Sequence, residues 1–192
     1  MRAFIAFELP EVLRSALATL SIGLQASLRG VPLSWVPPRN MHLTLRFLGE
    51  IRHSQAAALG EALQTIAGHP VQLAVRLSTL GAFPGVQHPR VLWAGLHAPA
   101  ALATLAAQVE QAAMAAGLPA AERPFMPHLT LARVRRQATP AQLTGVAAAL
   151  AAHPLPALNA TLGELVLFES QLKAGGAVYN PLVRASLRST KG

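Results

Sequence analysis

One tetrapeptide occurs twice in this chain: His42-Leu43-Thr44-Leu45 and, 86 residues later, His128-Leu129-Thr130-Leu131. With 7 His, 10 Thr and 32 Leu among 192 residues, one copy is expected about 0.01 times per chain. Two copies arise by accident on the order of once in ten thousand chains. The same shift of 86 residues lays Phe4 on Arg90, where hydrophobic periodicity starts the first strand of each half.

Each half reads strand, helix, strand, helix, strand. In the first, residues 2–8 form a strand, and Pro10 opens a helix whose face is Leu13, Leu17, Leu20, Leu24 and Leu28. A loop over 34–40, a strand over 41–48, a helix over 54–66 burying Leu59, Leu63 and Ile66, and a strand over 71–80 complete it. The second half predicts a strand over 90–96 and a helix over 98–116 facing inward through Leu102, Leu105 and Val109. A strand follows over 127–134, then a helix capped by Thr139-Pro140 that carries Leu143, Val146 and Leu150, then a strand over 155–168. The expected architecture is α+β, one bilobal domain over 1–192 with repeat units at about 2–80 and 88–168 and a closing strand at about 177–187. Its two pseudo-symmetric lobes, each a mostly antiparallel sheet covered by helices, flank a central cleft.

Composition narrows the chemistry. The chain has neither Cys nor Asp, so thiolate nucleophiles, thiolate zinc sites and a Ser-His-Asp triad are excluded. Its 8 Glu are scattered, which leaves few ligands for magnesium, and no metal or cofactor is expected. Histidine remains as the natural proton carrier, with an unperturbed pKa of about 6.5. Net charge is +8, and 14 of the 16 cations are Arg, whose planar fork of donors suits phosphate. A polyanion such as RNA is the partner this charge suggests, although a merely basic surface fits it equally. No apolar run approaches the roughly 18 residues of a membrane span. A cytoplasmic monomer without membrane contact is expected.

Strand alternation says what the repeated motif can do. His and Thr share one face about 7 Å apart while both Leu face the core. Facing lobes would then surround one pocket with two imidazoles and two hydroxyls. Hydroxyls can donate to phosphoryl oxygens, and imidazoles on opposite sides of phosphorus suit in-line displacement by acid–base catalysis. Which imidazole is acid and which base is open on this ground.

The chain resembles the RNA 2′,3′-cyclic phosphodiesterases, long called 2′–5′ RNA ligases, of the two-histidine phosphoesterases with paired H-x-T-x motifs. Residues 2–6, the run from Asn40 to Glu50, residues 89–93, Pro127 to Arg133, and Leu167-Phe168-Glu169-Ser170 carry the likeness. The resemblance implies opening of a 2′,3′-cyclic phosphate at RNA 3′ ends, or on cyclic nucleotides, to a 2′-phosphate. It implies His42 as proton donor to the leaving O3′ and His128 as the base that activates water. It also makes Arg133 a substrate contact, although simple alternation puts Arg133 opposite His128 unless a bulge intervenes. Arg46 shares parity with His42 and Thr44 and is a second candidate contact, with solvation as the alternative.

Arg135 and Arg136 read as loose RNA attraction. Phe4, Trp35 and Phe125 are candidates to stack a base, with core packing the commoner fate. His53, His69, His88, His97 and His153 lack matching partners and read as surface residues. Ligation through a 2′–5′ bond would use the same residues, and a non-catalytic RNA-end binding module is the other alternative. The paired histidines argue against the latter, since binding alone would be served by Arg or Lys.

Overall fold

The computed structural model describes residues 1–188 as an α+β fold. Its strands are β1 (Arg2–Glu8), β2 (Leu33–Trp35), β3 (His42–Glu50), β4 (Leu73–Phe83), β5 (Val91–His97), β6 (His128–Val134), β7 (Asn159–Leu162), β8 (Glu164–Lys173) and β9 (Gly176–Ser186). Four helices accompany them: α1 (Glu11–Ser27), α2 (His53–Ala67), α3 (Ala100–Ala115) and α4 (Val146–Ala152). No described helix is long and apolar enough to cross a membrane.

The strands join into one sheet in the order β7-β4-β5-β6-β3-β1-β8-β9, with β2 added beside β6, and every strand pairing is antiparallel. Its two wings meet where β3 and β6 pair through Leu43 and Leu129. Those two leucines are themselves related by the 86-residue shift, so the pseudo-twofold axis passes between them. The third strand of each half crosses over: β4 pairs with β5, and β8 pairs with β1. Each wing therefore takes strands from both halves. The sheet curls until its ends meet, since β7 runs into β8 across Gly163, whose carbonyl accepts from Leu187 N–H at 2.8 Å.

The core follows from which faces the sequence makes apolar. β1 is buried through five successive residues, as expected of a strand covered on both sides. Ile5 and Phe7 enter the main core with Leu13, Leu17, Leu20 and Leu24 of α1. Each such side chain contributes roughly 1.5–3 kcal/mol on burial. Phe4 and Ala6 face the other way and pack with Val166 and Phe168 as a second, smaller cluster.

Local detail departs from the periodic reading in four places. The 34–40 stretch is not all loop, because Leu33–Trp35 pairs with β6 and Pro38–Asn40 makes a 3₁₀ turn. The helix expected after Thr139 splits into a 3₁₀ turn, Pro140–Leu143, and α4, with Gly145 before the latter. The single strand expected over 155–168 becomes β7 and β8, which lie on opposite wings. Ile66 is only half-buried.

Candidate active site

Alternation in β3 buries Leu43 and Leu45 and leaves His42 and Thr44 half-buried on the opposite face. β6 repeats the pattern with Leu129 and Leu131 inward and His128 and Thr130 on the cleft side. Extending the antiparallel Leu43–Leu129 pairing by one residue each way sets His42 across from Thr130 and Thr44 across from His128. On regular pairing the two histidines are diagonal neighbours, with backbones about 7–8 Å apart, which leaves room for one phosphate between imidazoles. Among the described residues, neither threonine hydroxyl has a protein partner.

Both imidazoles are held alike. His42 Nδ1 lies 2.7 Å from the Asn40 carbonyl, and His128 Nδ1 lies 2.7 Å from the Met126 carbonyl. A carbonyl only accepts, so each Nδ1 carries the hydrogen, and Nε2 is the atom left for a substrate. Asn40 is itself tied down, its side-chain amide donating to the Ala177 carbonyl at 2.8 Å. Met126 is exposed and has no comparable tether.

The surroundings differ. Phe4 stacks on His42 at 4.7 Å, Tyr179 meets its ring edge-on at 5.2 Å, and Phe168 lies 6.4 Å away. His128 touches one aromatic, the edge-on Phe83 at 4.9 Å. Burial above all, with smaller contributions from the nearby Arg133 and His128 charges, pushes the His42 pKa down to about 4 against the raising effect of its Asn40 hydrogen bond. His128 is also lowered, first by burial and then by Arg133. Both rings are thus neutral in the empty site at neutral pH, and a bound phosphate anion would raise both.

A bulge settles the parity of Arg133. Pairing with β5 slips between Leu92–Ala132 and Trp93–Thr130, so Leu131 is the extra residue, and Leu131 and Ala132 are buried in succession. Arg133 is thereby returned to the side of His128 and Thr130, where its charge acts on both imidazoles. β3 carries the same slip at Leu45, and here it turns Arg46 away from the cleft. Arg46 Nε forms an ion pair at 2.6 Å with Glu110 of α3, and its guanidinium also bonds the carbonyls of Phe47 and Pro119. The expectation that Arg46 faces the pocket is corrected accordingly. Phe47, paired with Phe4 and largely exposed, takes the place on this wing that Arg133 takes on the other.

The contacts of several site residues had no signal in the sequence, although the segments that hold Phe168 and Trp93 carry the family likeness. Tyr179 and Phe168 come from the last two strands, far from the motif, and wall the His42 side together with Phe4. A cavity of about 160 Å³ opens there, lined among others by Asn40, His42, Phe168 and Tyr179. On the other wing Phe83 touches both His128 and Trp93, and Trp93 lies so close to Gly81 that a Cβ there would meet its ring at 2.4 Å. Of the three aromatics considered for stacking, Trp35 and Phe125 pack against the main core, and Phe4 backs His42. His53, His69, His88 and His97 are exposed, but His153 is half-buried, its Nδ1 bonding the Ala149 carbonyl at 3.0 Å.

Comparison with known proteins shows the family and the fold. The model of the LigT-like phosphoesterases matches residues 7–93 and 96–179. An RNA 2′,3′-cyclic phosphodiesterase of Thermus thermophilus is 34% identical, the alignment covering 100% of this chain and 93% of that protein. The solved structure of TT0787 from Thermus thermophilus superposes with a TM-score of 0.79 at 30% identity, covering 100% of both chains. LigT of E. coli complexed with 3′-AMP superposes with a TM-score of 0.76 at 27% identity, covering 97% of each chain.

Proposed function

Because the chain belongs to the LigT-like phosphoesterase family, we propose that it opens 2′,3′-cyclic phosphates at RNA 3′ ends to 2′-phosphates without a metal. The observation that carries this reading is the matched pair of imidazoles, each donating through Nδ1 to the carbonyl two residues earlier and leaving Nε2 free, on two strands that pair through Leu43 and Leu129. Similarity to the Thermus RNA 2′,3′-cyclic phosphodiesterase, and to E. coli LigT complexed with 3′-AMP, supports the substrate class.

In this mechanism the cyclic phosphate lies between the histidines, and Thr44, Thr130 and Arg133 hold its non-bridging oxygens. His128 takes a proton from water as the water oxygen bonds to phosphorus. The P–O3′ bond breaks in line with the attack, and His42 gives its proton to O3′. The hydroxyl and guanidinium donors stabilise the negative charge that develops on the non-bridging oxygens. The His42 role rests on family resemblance, and its local environment bears on it directly. With a pKa of about 4 in the empty site the ring is neutral, and the incoming phosphate anion must raise it to the protonated form before it can donate.

The test is an assay on an RNA with a 2′,3′-cyclic end after exhaustive treatment with EDTA, with the product phosphate located on O2′ or O3′. Full turnover to the 2′-phosphate is expected. Turnover abolished by EDTA and restored by added metal, or a 3′-phosphate product, would overturn the proposal.

A further inference from the structure

A second cavity has no part in the chemistry above. It measures about 520 Å³ and lies past the far end of β6, between the loop that leads into β5 and the segment that leads into α4. His88, Arg90, Arg135 and Arg136 supply its polar wall, and no carboxylate lines it. Among the described residues none of these three guanidiniums has a hydrogen-bond or ion-pair partner. Among the described residues Arg2, Arg29, Arg39, Arg76, Arg123 and Arg133 are likewise without a side-chain partner, whereas three arginines form ion pairs. Arg14 pairs with Glu11, Arg46 with Glu110, and Arg184 with Glu8 and Glu164. Three unpaired like charges converging on one cavity repel one another, and an anion relieves that repulsion.

The backbone that carries these arginines is fixed. Arg90 N–H donates to the Phe83 carbonyl at 2.7 Å, and Val134 N–H donates to the Arg90 carbonyl at 2.9 Å. Arg135 N–H bonds the Pro32 carbonyl at 2.9 Å, and Ala138 N–H closes the turn onto the Arg135 carbonyl at 3.0 Å. The cavity begins where β6 leaves the active site. His128, Thr130 and Arg133 follow one another on the cleft face of β6, and Arg135 continues that face two residues beyond Arg133, whereas Arg90, next to Val91, falls opposite Val134 on the helix-covered face. At about 3.3 Å per residue, the cavity starts roughly 20 Å from His128.

Resting on the reading of the site as a phosphodiesterase for RNA ends, we infer that this cavity binds a backbone phosphate of the same RNA strand, a few nucleotides upstream of the cyclic end. The cationic line along β6 would make the enzyme prefer an oligonucleotide to a mononucleotide, through binding and not through chemistry.

The experiment compares a cyclic-phosphate-ended oligoribonucleotide with a 2′,3′-cyclic mononucleotide, on the wild-type enzyme and on R135A/R136A and R135E/R136E. For the oligonucleotide, KM should rise about tenfold in the alanine pair and further in the charge-reversed pair, with kcat unchanged. The dependence of log(kcat/KM) on log[salt] should flatten by about 0.7 for each phosphate that the variant no longer neutralises. R135K/R136K should keep most of the salt slope, since Lys still neutralises phosphate. Turnover of the cyclic mononucleotide should not change in any variant, which also shows that each is folded. Unchanged oligonucleotide KM and salt slope would overturn the inference, as would equal losses on both substrates. Equal KM for both substrates in the wild type would give the cavity to a free anion and overturn it too. Failure of mononucleotide turnover in the wild type would instead strike the proposed reaction.

Discussion

The two motif strands present the same tetrapeptide on the same bulged backbone, yet their histidines stand in different surroundings. On the β3 side the ring is enclosed by Phe4, Phe168 and Tyr179, and its carbonyl partner is anchored by the Asn40 side chain. On the β6 side one aromatic edge and the Arg133 charge stand beside a ring whose partner, Met126, is exposed. The shared tetrapeptide and its matching bulges account for the likeness of the two histidines, and the strands that flank them account for the difference. Phe168 belongs to β8, which crosses to the wing of β1, and Tyr179 belongs to β9 beyond it. Two equal groups thus become unequal in the empty site, where His42 holds a proton the less readily, so that a bound phosphate anion must raise it before it serves as the acid.

The largest effects should come from the histidines as a pair. H42A and H128A should each lower kcat by about a hundred- to ten-thousandfold. The double variant should be little worse than the poorer single one, because both act in one step. Multiplicative losses in the double variant, measured by steady-state kinetics, would mean that the rings act independently. The threonines come next: T44V and T130V should each cost roughly ten- to a thousandfold in turnover while melting stays near wild type. Near-normal rates in both would remove the hydroxyls from the phosphate.

The equivalent bulges give a cleaner separation. R133Q should lose about ten- to a hundredfold in kcat/KM, as expected for a charge-assisted contact with phosphate. R46Q should instead leave rates near normal and lower stability by about 1–3 kcal/mol, since it strips Glu110 of its partner. A catalytic collapse in R46Q at normal stability would return Arg46 to the pocket.

The smallest effects concern pH. His42 has a lower pKa folded than unfolded, so the unfolded state binds more protons between the two values. Stability should therefore fall as pH drops from about 6.5 towards 4, by at most about 3 kcal/mol from this ring. Urea titrations of the wild type and H42Q at both pH values check this, and parallel losses in the two would exclude His42 as the source. In kinetics, kcat/KM should be bell-shaped, with limbs belonging to the pair. The acid limb of kcat/KM should lie at lower pH than that of kcat, because the bound anion raises both imidazoles.

Much of this comparison was legible in the sequence. The repeat located both histidines, and the period of two placed Thr44 and Thr130 beside them. Alternation failed where a bulge intervened, and it failed in opposite directions for Arg46 and Arg133, because no local residue pattern marks a slip that arises from pairing with β1 and β5. The strand exchange was hidden for a related reason. Periodicity reports which face of a strand is apolar but not which neighbour it pairs with, so Phe168 and Tyr179 could not be assigned to His42. The split of β7 from β8 is equally a matter of tertiary pairing, with each piece finding its partner on a different wing.

The division of roles between the two rings is tested most directly by a change of leaving group. A nitrophenyl phosphodiester expels nitrophenolate, which leaves without taking a proton, so the acid becomes dispensable while the base does not. H42A should recover most of the wild-type rate on this ester while H128A stays slow. Recovery of H128A with H42A still slow would reverse the two roles, and recovery of neither would mean that the imidazoles only bind phosphate.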